Sequence, residues 1–93
     1  MSVFIVEYVY PSHSAEQLAD IRPAHRDFLS ALHDKGINLA SGPWAEGAPG
    51  ALLIIRANSA EKALEFLNDD PFYSAGLIAK RNIREWTPVI GSW

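Results

Sequence analysis

The segment from Val3 to Tyr10 reads Val-Phe-Ile-Val-Glu-Tyr-Val-Tyr, and it is apolar on both faces that a strand would present. Its β-branched and aromatic residues favour a strand, which Pro11 would end. One face would carry Phe4, Val6, Tyr8 and Tyr10, and the other Val3, Ile5 and Val9 with Glu7. In an antiparallel sheet with one solvent-exposed face, polar residues alternate with apolar ones along each strand. This sheet therefore needs a cover on both faces.

Working outward from this strand, apolar spacing, caps and chain breakers predict the remaining elements. These are a short helical turn at 15–20, a main helix from Pro23 in its first turn to about Lys35, a strand at 37–41, a loop at 44–50, a strand at 51–57, a helix from a Ser59 cap to about Asn68, one helical turn at 71–76 and a strand at 78–89. Gly36 would end the main helix. The order is βαββαβ.

This order predicts an α+β fold, the ferredoxin-like plait, in which both helices cover one side of a four-stranded antiparallel sheet. Residues 1–93 suit one domain. The third strand is also apolar on both faces, because Leu52 and Ile54 alternate with Leu53 and Ile55. A second copy of the sheet would cover the open face, giving a homodimer of the dimeric α/β barrel type. Alternatively, the tail 87–93 folds over it.

Composition excludes several classes of function. The 93 residues contain no cysteine, so disulfides, thiolate metal sites and cysteine nucleophiles are absent. A net charge of −3 without a basic run disfavours nucleic-acid binding. We find no apolar span or targeting segment, so we expect a cytoplasmic protein without a membrane partner. Three scattered histidines make no metal site, and phosphate loops and nucleophile elbows are lacking. These exclusions leave either acid–base catalysis without a cofactor or no catalysis.

His25 is the leading candidate for that chemistry. At about 100° per residue it falls within the apolar stripe formed by Ile21, Phe28, Leu29 and Leu32, while Arg26, Ser30 and Asp34 project from the opposite side. A buried ring of this kind is either a hydrogen-bonded core histidine or a proton carrier. Asp70 is the candidate that would orient it. Asp70 before Pro71 equally suits the N-cap of a short helical turn, and one carboxylate can serve both roles.

Four residues are candidates for contacting a substrate. Arg22 lies one turn before His25 and is a candidate for binding an anionic group, although its position favours a solvated helix charge. Gly42 and Pro43 form a turn after the second strand, where glycine would let the backbone approach a ligand closely. Ser41 would place a hydroxyl near the same point.

Several short motifs together resemble one family. They are Arg22-Pro23-Ala24-His25, Leu29, Leu32, Gly36, Ser41-Gly42-Pro43, Asp70-Pro71-Phe72, Ala75-Gly76 and Ile83-Arg84-Glu85-Trp86. In order and spacing the chain resembles the YciI-like (YCII-related) family. The resemblance implies a dimeric α/β barrel with a His–Asp active site, in which His25 is the histidine of the R-x-x-H helix and Asp70 the aspartate of the D-P motif. One relative with a dehydrochlorinase role acts on a chlorinated hydroxyquinol. The short loop 44–49 departs from some members, so substrate identity is not transferred.

These observations lead to a functional hypothesis and its alternatives. The leading hypothesis is a small cofactor-independent enzyme of lyase or isomerase type acting on a small organic molecule. His25 would move a proton, and Asp70 would hold the ring from within about 2.6–3.2 Å, at the floor of a pocket. One alternative is a non-catalytic ligand-binding or sensor domain of the same fold. Another is an interaction module in which the pair is only structural.

Overall fold

The computed structural model describes residues 2–91, which form the predicted βαββαβ order with one additional short helix. The elements are β1 (Ser2–Val9), α1 (Ala15–Asp34), β2 (Asn38–Pro43), β3 (Gly50–Ala57), α2 (Ala60–Leu67), α3 (Pro71–Ser74) and β4 (Lys80–Trp86). The strands form one antiparallel sheet in the order β2-β3-β1-β4. The predicted α+β ferredoxin-like plait is confirmed. None of the helices within residues 2–91 is long and apolar enough to cross a membrane.

The helix-facing side of the sheet forms the core. In the register of β1 and β3, Phe4 lies opposite Ile55, Val6 opposite Leu53 and Tyr8 opposite Ala51. All six side chains are buried, together with Leu29 and Leu32 of α1 and Ala63 and Leu67 of α2. The two-residue alternation of the central strands therefore places their larger side chains beneath the helices.

The other side of the sheet, here called the open face, carries no helix. Its apolar residues are half-buried and comprise Val3, Ile5, Val9, Leu52 and Ile54. The tail does not bury its own apolar side chains there, because Val89 and Ile90 are 87% and 95% exposed. The remainder of the tail that was considered as a cover, Ser92 and Trp93, lies outside the described residues.

Helix α1 is one continuous helix, and the predicted start at Pro23 is wrong. It begins at Ala15, so the predicted turn at 15–20 is its first part and Pro23 lies in its interior. Pro23 is exposed, so the backbone carbonyl that loses its helical partner there can tilt outward to water. The predicted end is confirmed, since Gly36 adopts the left-handed backbone conformation with φ of 77°.

Other boundaries shift for identifiable reasons. Strand β4 spans Lys80–Trp86 rather than 78–89, because Leu77 is buried in a second apolar cluster with Leu18 and Phe72. At the other end of β4, Trp86 pairs with Val3, which lies near the beginning of β1. Residues after Trp86 therefore have almost no part of β1 left to pair with. Strand β2 begins and ends later than predicted, and α3 is shorter. The predicted Ser59 cap is confirmed: its Oγ accepts from the Lys62 amide at 3.1 Å.

Candidate active site

A cavity of about 570 Å³ lies between α1 and the β2 edge of the sheet. It follows α1 over about 16 Å, from Arg22 to His33. Its wall comprises Arg22, His25, Arg26, Leu29, Ser30 and His33 of α1, residues 38 and 40–43 of β2, Ala51 and Leu53 of β3, Tyr10 and Phe72. By helical geometry this side of α1 is about 90° around the helix from the apolar stripe. Arg26 and Ser30 therefore face the cavity, contrary to the expectation that they point away from the site.

Asp70 is placed by the junction between α2 and α3. Its backbone leaves helical geometry before Pro71, with ψ of 125°, and its Oδ1 accepts from the Phe72 amide at 2.9 Å. The side chain is fully buried. The N-cap role is therefore present, and the same carboxylate also meets His25.

His25 lies where the core meets the cavity, and only 7% of it is exposed. Its Nδ1 is 2.8 Å from Oδ1 and 3.0 Å from Oδ2 of Asp70, so the predicted proximity is confirmed. Because Nδ1 faces only carboxylate oxygens, it donates a hydrogen to Asp70, and in the neutral ring the lone pair therefore lies on Nε2. No residue within 2–91 hydrogen-bonds Nε2. One ring face stacks on Phe72, with centroids 3.9 Å apart and planes 9° apart.

Tyr8 completes the environment of the carboxylate, whereas the sequence pattern placed it only on one face of the first strand. Its hydroxyl donates to Asp70 Oδ2 at 3.0 Å. Burial of the phenol raises its pKa far above the usual 10.0, and the charge and hydrogen bond of Asp70 add to this. The partners are 62 positions apart, so the sequence pattern gave no signal for the contact.

A second polar network lies at the other end of the cavity. A register shift in β2 between Asn38 and Ala40 places Asn38 and Ser41 on the same side of the strand. The Asn38 amide donates to the Leu29 carbonyl at 3.1 Å and to Ser41 Oγ at 3.0 Å. Ser41 therefore keeps its own O–H free to donate into the cavity. Nothing in the sequence pattern indicates this bulge.

The other predicted substrate contacts also lie on the cavity wall. Arg22 is half-buried, and Gly42 and Pro43 line the edge at β2. A Cβ at Gly42 would meet no protein atom within 4 Å, and the close approach of a ligand to this glycine stays a prediction. Across residues 2–91, no group of three or more His, Cys, Asp or Glu side chains is arranged to hold a metal ion.

The fold and the site define an α+β plait with a buried His–Asp pair beside a cavity large enough for a small molecule. The family model for the YCII-related domain matches residues 1–87, and the chain belongs to that family. It is 31% identical over 85 residues to Protein YciI of Escherichia coli O6:H1 and equally to Protein YciI of Shigella flexneri, covering 82% of this chain and 87% of each relative.

A solved structure is also similar. It is the 5-chloro-2-hydroxyhydroquinone dehydrochlorinase (TftG) from Burkholderia phenoliruptrix AC1100, in complex with 2,5-dihydroxybenzoquinone. The TM-score is 0.80 at 26% sequence identity, covering 91% of this chain and 93% of the other. The likeness therefore extends over nearly the whole of both chains.

Removing each partner of the His–Asp pair should have unequal effects. In His25→Ala, Asp70 keeps the Tyr8 and Phe72 donors, and water from the cavity can replace the ring, so we expect a loss of about 1 kcal/mol. In Asp70→Ala three donors lose their acceptor, so we expect about 3–5 kcal/mol. Denaturant unfolding measures both values. A loss of 3 kcal/mol or more for His25→Ala would instead indicate a sealed structural pair.

Tyr8 should make the free energy of unfolding depend on pH in the alkaline range. The folded protein holds Tyr8 neutral, whereas the unfolded chain ionises it near pH 10.0. Its contribution is therefore complete below pH 10 and is lost as the pH rises further, by about 1.4 kcal/mol per pH unit. Tyr8→Phe should be less stable at neutral pH by about 1–3 kcal/mol, with a shallower alkaline decline. Tyr73→Phe, at an exposed position, should keep the wild-type slope; equal slopes in all three proteins would contradict the assignment.

Proposed function

We propose that this chain is a cofactor-independent acid–base enzyme of lyase or isomerase type, acting on a small organic molecule. One observation carries the proposal: His25 is held through Nδ1 by Asp70, while Nε2 makes no hydrogen bond within residues 2–91 and the ring borders the cavity. A ring fixed through one nitrogen and free at the other has the geometry of a general base.

The proposed reaction begins with proton transfer to His25 Nε2. The Asp70 carboxylate stabilises the imidazolium that forms, and Tyr8 and the Phe72 amide keep that carboxylate in place. In an elimination, the electron pair left by the proton forms a double bond as a leaving group departs from the adjacent carbon. In an isomerisation, the imidazolium returns the proton at another atom. Such assistance contributes about 10²–10⁴-fold to a rate.

The substrate is proposed to contact Arg22, Ser41, Gly42 and Pro43. Arg22 supplies a cation, and Ser41 supplies a hydroxyl oriented by Asn38. Gly42 and Pro43 would contact the substrate along the edge of β2. The similar dehydrochlorinase supports this assignment, because its name describes removal of a proton and a chloride, a reaction of the lyase class.

The test is chloride release from 5-chloro-2-hydroxyhydroquinone, with binding of 2,5-dihydroxybenzoquinone measured in parallel. We expect release by the wild type and a rate lower by about 10²–10⁴-fold in His25→Asn, with binding largely kept. His13→Asn is the matched control, since His13 is exposed in a loop. Full activity of His25→Asn would contradict the proposal. Binding without release in the wild type would favour the ligand-binding alternative.

We also propose that the chain forms a homodimer through the open face. The apolar centre of this face includes Ile5 opposite Ile54, and Glu7 on the same face is already paired with Asn82 at 3.2 Å. Half-buried aliphatic residues on two neighbouring strands form a continuous patch of the kind that oligomers bury.

Disrupting this patch should separate the protomers. Light scattering at micromolar concentration should give twice the 10.3 kDa chain mass for the wild type. Ile54→Lys should give a monomer, because an unpaired ammonium would be buried at the contact. Ala31→Lys, on the exposed side of α1, adds the same charge and should remain dimeric. A monomeric wild type would contradict the proposal.

A further inference from the structure

The charged groups on the cavity wall are all of one type. Helix α1 contributes the cations Arg22 and Arg26, and within the described residues no Asp or Glu belongs to the wall. The whole chain has a net charge of −3, so this cationic character is local. Asp70 lies behind His25 and is fully buried, and therefore it does not present its charge to a molecule in the cavity.

Arg22 and Arg26 are neighbours on one helix face at the i,i+4 spacing. Like charges at this spacing destabilise a helix. Within residues 2–91 the ion pairs are His25–Asp70 and Lys62–Glu65, so neither arginine has an acidic partner. Arg81 differs, because it donates to Asn68 Oδ1 at 2.9 Å and lies over the Tyr73 ring. The two cavity arginines therefore carry charges that the described fold does not neutralise.

The Asp70 carboxylate is already engaged and does not serve as their counterion. It accepts from Tyr8, from the Phe72 amide and from His25. The positive charge of Arg22 nevertheless acts on Tyr10, another residue of the cavity wall. Burial raises the pKa of Tyr10 and Asp70 raises it further, whereas Arg22 acts in the opposite direction. An anion entering here would meet positive charge in a partly desolvated space, where charge-assisted hydrogen bonds are strong.

We propose that the cavity selects an organic oxyanion, a carboxylate or a phenolate, whose charged oxygens lie between Arg22 and Arg26 and whose apolar body packs against Leu29. This leucine is part of the cavity wall and is 8% exposed. This names the substrate class of the proposed enzyme and so rests on the proposed function. Arg26, which the sequence placed away from the site, becomes a specificity-determining residue.

The experiment compares matched probes that differ in charge. Binding of benzoate and benzamide tests a carboxylate, and binding of 4-nitrophenolate and 4-nitroanisole tests a phenolate, all by calorimetry at low and high salt. We expect at least one anion to bind about tenfold more tightly than its neutral analogue. Arg22→Gln and Arg26→Gln should each weaken anion binding about five- to tenfold, and the double variant should lose the preference. High salt should weaken the preference in the wild type.

Lys80→Gln is the matched control, because it removes one positive charge from an exposed position on β4, away from the cavity. It should bind the anions as the wild type does. The inference is overturned if the neutral analogues bind equally well, if the preference survives in the double variant, or if neither anion binds at about 10 mM, where even a millimolar Kd gives high occupancy. Binding does not require turnover, so an inactive protein that keeps the preference would refute the proposed reaction and leave this inference standing.

Discussion

The buried carboxylate of Asp70 is the constraint around which the site is organised. An isolated carboxylate inside a protein is very unfavourable, so its oxygens must be matched by donors. Here the donors come from three elements: the Tyr8 hydroxyl of β1, the His25 ring of α1 and the Phe72 amide of α3. The sheet, the long helix and the turn after α2 are therefore joined at one point. Displacing any one of them would leave the charge incompletely paired.

That constraint also determines how His25 is presented. Asp70 fixes Nδ1, and Phe72 stacks on one face of the ring, so rotation of the imidazole would break both contacts. Asp70, which holds the ring, is the N-cap of α3, and Phe72, which stacks on the ring, lies in the first turn of the same helix. One local turn therefore positions both contacts. Preorganisation of this kind reduces the reorganisation needed when a proton moves.

Local signals identified the pair, whereas the contacts that complete the site depend on tertiary structure. The Asp70–Pro71 cap and the position of His25 in the apolar stripe can be read from neighbouring residues. Tyr8 could not be connected with Asp70, since a strand pattern shows which face a side chain occupies but not what it meets. Asn38 and Ser41 share a side only because β2 contains a bulge. Pro23 was misplaced because its preference for the first turn is weaker than the packing of α1.

The cavity itself follows from side-chain size. Where α1 faces the centre of the sheet, Phe4, Tyr8 and Ile55 fill the space beneath the helices. Towards the β2 edge the helix-facing side of the wall carries the small residues Ser41 and Ala51, whose side chains are too short to fill the space up to the helix. Large residues in the centre supply the apolar burial that stabilises the fold. Small residues at the edge leave space for a ligand, and the Asp70 carboxylate holds His25 at the boundary between these two regions.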